Sequence, residues 1–172
     1  MAETEIHDMF VIGLRNAHAM ENEALSMMRP QLPRMERYPE VAAKLEQHIS
    51  ETQDQIIRLE HILEELDENY LSVNDMVLSF NGATAVMSHA GMGDAVLKDA
   101  FADFAFENYE IAAYKSLLTI ADAGNFREAK DALQASLAEE QSMARWLDDN
   151  LPLVTQKFLL MWEGDGPLGT QR

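Results

Sequence analysis

Residues 104–114 read FAFENYEIAAY, and the fold turns on how this stretch is read. Glu107, Glu110 and Tyr114 recur three and four residues apart, so on a helix they line one ridge. Around them stand Phe104, Phe106, Ile111, Ala112 and Ala113. A helix that is apolar on most sides is a buried helix, and carboxylates buried with it are costly unless something inside the protein compensates them.

Working outward, the helix that contains this stretch is expected from about residue 95 to 123. It stops at DAGN (122–125), where Gly124 suits a left-handed position after the last turn and Asn125 can cap the next helix. That next helix, residues 126–150, carries Ala129, Leu133, Leu137, Met143 and Leu147 on one stripe and is expected to stop at Asn150, Leu151 and Pro152.

Upstream, residues 6–28 place Phe10, Leu14, Ala17, Leu25 and Met28 on one face. Pro30, Pro33 and Pro39 break the chain next, and residues 40–66 resume a long helix with Val41, Leu45, Ile49, Ile56, Leu59, Leu63 and Leu66 inward. Residues 76–89 read as a short extra helix in the crossover, with Asn74 or Asp75 as its cap. The class is all-α, a four-helix bundle over residues 1–152. A tail over 153–172 follows, whose Phe158–Trp162 cluster packs on the bundle or on a dimer partner before a flexible end.

Charge narrows the function. Thirty acidic side chains against thirteen basic ones give a net charge of -17 in 172 residues, which repels nucleic acid and anionic lipid surfaces. No apolar run approaches a membrane span and the opening residues do not resemble a secretory signal, so a soluble, cytoplasmic protein is expected. The absence of cysteine excludes disulfides, thiolate metal sites and cysteine nucleophiles. Any metal must be held by carboxylates and imidazoles.

At about 100° per residue, Glu21 falls roughly 20° from Leu14, and Glu140 falls about 20° from Leu133, whereas Glu139 swings to the flank. On the second long helix His48, Glu51 and Gln55 border the apolar face, and Asp54 points to water. Each long helix thus aims a carboxylate at the interior. Protonation, trapped water or bound cations would each relieve the cost, and cations account best for four helices converging. Carboxylates with an added imidazole favour iron, manganese or zinc over magnesium or calcium. A two-metal site of iron or manganese, with zinc as the alternative, is therefore expected from Glu21, Glu51, Glu107, Glu110, Glu140 and His48. His48 is read either as a ligand or as a partner that orients one.

Four words, MFVIGL with Glu21 downstream, HISETQDQIIRLE, ENYEIAAYKSL and LQASLAEEQ, resemble the YciE/YciF family of bacterial ferritin-like stress proteins. The third word resembles that family's Glu-x-x-Glu-Ile-Ala-x-Tyr pattern through Glu107, Glu110, Ile111, Ala112 and Tyr114. The resemblance implies a ferritin-like bundle, a homodimer, a two-metal centre and a link to stress responses, without a settled reaction. Ferritin-like two-iron proteins in general place Glu-x-x-His on two helices. This chain instead has His48-x-x-Glu51 on one helix and Met143 three residues after Glu140 on another. Two functions stay open: a metal centre that reacts with peroxide or oxygen, and a non-enzymatic acidic bundle whose metal is structural or absent.

Overall fold

The computed structural model describes residues 3–69 and 94–165. Within them lie α1 (Glu3–Met28), a 3-10 turn (Leu32–Arg34), α2 (Pro39–Glu65), α3 (Ala95–Gly124) and α4 (Arg127–Asp165). The expected crossover helix at 76–89 lies outside the described residues. Short links join α1 to α2 and α3 to α4, which makes each pair an antiparallel hairpin. Both α1 and α4 pack against α2 and α3, so the four helices form a square. This is the expected four-helix bundle. No described helix is long and apolar enough to cross a membrane.

The helical stripes close on one core. Phe10, Leu14, Leu45, Leu59, Leu63, Leu133, Met143 and Tyr114 are all sealed from solvent, and the face of α2 that carries Leu45 and Leu59 also buries His48, Thr52 and Gln55. The periodicity that buries the leucines therefore carries polar groups inside with them. Thr52 satisfies its hydroxyl locally by donating to the His48 carbonyl at 3.0 Å.

Two expectations fail at helix ends. Gly124 closes α3 as an ordinary helical residue, and Asn125 takes the left-handed conformation with φ 59°. Glycine is needed at 124 for space: a Cβ there would stand 2.2 Å from the Phe126 ring. That ring folds back to stack on Phe10, with centroids 4.4 Å apart. Asn125 in turn accepts from the Arg127 side chain at 2.8 Å, tying the start of α4 by its side chain.

The second failure is the stop at Pro152, because α4 runs through it to Asp165. A proline inside a helix costs about 3 kcal/mol, largely from a lost backbone bond and a clash. Here Pro152 and Asp148, whose carbonyl loses its partner, both face solvent. Beyond the proline, Val154 is buried against Met35 and Tyr38, Met161 packs beside them, and Lys157 lies 5.2 Å over the Tyr38 ring. Burying an aliphatic side chain contributes about 2 kcal/mol, so two such contacts offset the cost. The fourth helix thus crosses the expected boundary at 152, and its far end leaves Leu159, Leu160 and Trp162 exposed.

Candidate metal centre

His48 on α2, Glu107 and Glu110 on α3 and Glu140 on α4 each offer a ligand atom, and these atoms lie within 4.8 Å of one another. All four side chains are buried. Donors at about 2.0 to 2.2 Å from one cation stand at most roughly 4.4 Å apart, so a slight contraction would close this group on an ion.

The arrangement follows from helix register. Glu107, Glu110 and Tyr114 form the buried ridge of α3, and Glu140 lies between Leu133 and Leu147 on the inner face of α4. His48 turns Nδ1 toward Glu51 Oε2 at 3.2 Å, while Nε2 stands 3.1 Å from Glu107 Oε1 and 3.5 Å from Glu140 Oε2. Glu51 also accepts from Gln47 at 2.7 Å and stays partly exposed. Glu51 thus stands behind the imidazole, where it fixes the ring and leaves Nε2 facing the cluster.

Glu21 reaches the same interior from α1. Its Oε1 accepts a 2.6 Å hydrogen bond from Tyr114, and its Oε2 has no partner. Partners are also missing for both oxygens of Glu110 and for Oε2 of Glu107 and of Glu140. Five orphaned carboxylate oxygens in one buried cluster are exceptional, since buried polar atoms nearly always find a partner.

Electrostatics show the same strain. Burial pushes the Glu21 carboxyl up to about 8, against the opposing pull of the Tyr114 hydrogen bond and His48. Burial, reinforced by Glu21 and Glu140, holds Glu110 well above the usual carboxylate range. Burial with Glu107 and Glu21 does the same to Glu140. For His48 burial disfavours the charge, yet the contacts to Glu107 and Glu51 outweigh it and push the imidazole up to about 11. Protons here occupy the role that cations would take. Two divalent cations would carry four positive charges against Glu21, Glu107, Glu110 and Glu140, leaving a neutral His48 as nitrogen donor. The donor set fits such a group.

Of the six residues expected from the sequence, the structure brings four into direct proximity. Glu21 adds an unpartnered oxygen next to them, and Glu51 contacts the group through His48. The other described histidines and the acid read as pointing to water lie away from the group. Asp54 and His61 are exposed, His18 stands 3.1 Å from Glu60 at the edge of the bundle, and His89 is outside the described residues. Met143 is core. Glu139 sits on the flank, clamped by Arg58 through bonds of 2.6 and 2.8 Å.

Gln55, which borders the apolar face of α2 as its register requires, finds partners on α4, whereas Asp103 and Gln31 carry polar contacts that the sequence does not announce. The Gln55 amide donates to Glu139 at 3.0 Å and to Glu140 in a shorter bond, holding the two acids apart in role. Asp103, one turn before Glu107, is buried on the same ridge and bonded to Gln31 at 2.7 Å. The four-residue spacing could have found Asp103, whereas Gln31, in the proline-rich link, carries no periodic signal.

A family model described as a domain of unknown function (DUF892) matches residues 5–160. The chain belongs to the DUF892 family. Among solved structures, a Xanthomonas campestris protein matches with 29% identity and a TM-score of 0.78, over 92% of this chain and 99% of that one. The Escherichia coli stress protein YciF matches with 25% identity and a TM-score of 0.70, over 85% and 94%. YcfI of Rhodopseudomonas palustris shares the fold at 24% identity and a TM-score of 0.73, over 83% and 92%. This DUF892 chain is thus YciF-like, in agreement with the resemblance of its four words.

Proposed function

We propose that this chain is a stress-associated, ferritin-like protein that holds a carboxylate-rich centre of two iron or manganese ions. Zinc is the alternative. The observation that carries the reading is the cluster of His48, Glu107, Glu110 and Glu140, in which four buried carboxylate oxygens lack partners. Bound iron or manganese would supply electron exchange with peroxide or oxygen. The protein's own share is positional: Glu51 aims His48, Gln55 orients Glu140, and Tyr114 holds Glu21. The link to stress comes from the similarity to YciF. A homodimer and a cytoplasmic location belong to the same proposal.

Elemental analysis of untagged protein from iron- and manganese-supplemented cells tests this directly. About two ions per chain are expected, lost when Glu21 and Glu140 are both replaced by Ala. No bound metal in the wild type would sink the reading. A second reading, a non-enzymatic interaction protein, is favoured by the exposed Leu159, Leu160 and Trp162. In its structural-metal form it requires chelation to lower the melting temperature; metal loss without such a drop counts against the clamp.

A further inference from the structure

The ridge that ends in the centre begins just over two turns earlier. Asp99, Asp103 and Glu107 follow one another at four-residue intervals along α3, all buried on the same face. A rise of 1.5 Å per residue sets successive carboxylates about 6 Å apart and the whole row about 12 Å long. Its outer end reaches solvent beside Arg34, which is 29% exposed and donates to Asp99 Oδ2 at 2.8 and 3.1 Å. Asp103, the middle station, has no Lys or Arg within ion-pair reach among the described residues.

Gln31 supplies the independent sign of a ligand. It is fully buried, its Nε2 donates to Asp103 Oδ1 at 2.7 Å, and its Oε1, on the same amide, has no partner. Amide and carboxylate oxygens are the donors that hard and borderline cations accept. Gln31 and Arg34 both come from the α1–α2 link, so one short segment furnishes the middle station and the cover of the outer one.

We propose that Asp99, Asp103 with Gln31, and Glu107 form the route by which divalent transition-metal cations pass from solvent to the centre, and that Arg34 closes its outer end. The inference rests on the metal centre proposed above. A cation moves from one carboxylate to the next in steps of one helical turn, and Arg34 must swing from Asp99 to admit it.

Cobalt(II) is the probe, followed by its visible absorption on mixing with metal-stripped protein, with final stoichiometry measured separately. Asp103→Asn is expected to slow uptake about tenfold with the end point unchanged, because lining a path with one sign of charge raises arrival rates by roughly 10- to 1000-fold. Arg34→Ala, which uncovers the Asp99 carboxylate, is expected to speed uptake in protein whose melting temperature shows that it remains folded. Wild-type rates in either variant overturn the route while leaving the centre intact. Loss of final occupancy in Asp103→Asn makes Asp103 a ligand and overturns the route as well. A wild type that takes up no cobalt removes the centre and the route together.

Discussion

Glu139 and Glu140 are neighbours in the chain and opposites in environment. Glu139 lies at the flank with both oxygens on the Arg58 guanidinium, about a quarter exposed. Glu140 is sealed in the core beside His48 with one oxygen unpartnered. Glu110 repeats the second pattern, with neither oxygen partnered. Where an acid serves the fold, this chain sets an arginine against it. In the centre it sets one histidine among four carboxylates and leaves the remaining positive charge to be brought in.

That contrast breaks first at Glu140. Glu140→Gln keeps shape and the bond from Gln55 but removes a charged donor. Metal affinity is expected to fall by more than the roughly 10- to 100-fold typical of losing a group that only orients a ligand. In chelator-treated protein the same change leaves urea stability equal or higher, since it removes a buried acid without a partner. Arg58→Ala should do the reverse, costing about 1 kcal/mol for a part-exposed bidentate pair and leaving metal content near that of wild type. Dialysis followed by elemental analysis, with urea titrations, reads both halves. Equal metal loss in the two variants would erase the distinction.

Much of this contrast is legible in the sequence. The direction of Glu21 and Glu140 follows from their place at the centre of apolar stripes, and the shared ridge of Glu107 and Glu110 from their three-residue spacing on a helix apolar on most sides. The helices themselves follow from the same periodicity. Less legible is whatever depends on a second helix. That Glu51 would stand behind His48, that Gln55 would bridge two glutamates and that Arg58 would reach α4 are matters of packing between strangers in sequence. The passage of α4 through Pro152 is similar, because Met35 and Tyr38, which reward it, come from a link more than a hundred residues away. Local rules place a side chain on a face and cannot say what meets it there.

The same difference should appear as a dependence on pH. Glu21 holds its proton up to about 8 in the folded protein, against an ordinary value of 4.5, so the folded state binds more protons across that window. The stability that the protonated Glu21 contributes to the metal-free protein is fully present below pH 4.5 and is lost as pH rises toward about 8. Glu110 and Glu140, also raised, act in the same sense. The melting temperature of chelator-treated protein is expected to fall between about pH 5 and pH 8, and less so in Glu21→Gln. Metal uptake has the opposite slope, because each incoming cation must displace these protons. A melting temperature that rises across the window would show that the acids are charged and solvated, and the comparison with Glu139 would lose its basis.

The smallest effect belongs to Tyr114. Its hydroxyl donates to Glu21 Oε1 at 2.6 Å, a bond that favours the charged carboxylate and works against burial. Tyr114→Phe keeps the ring and removes that bond, so Glu21 should hold its proton to a pH above about 8. The midpoint of metal uptake against pH then moves upward, while occupancy at alkaline pH matches wild type. Loss of packing alone would lower the melting temperature without moving this midpoint. The direction of the shift therefore separates a tyrosine that tunes the nearest acid of the centre from one that only fills the core beside it.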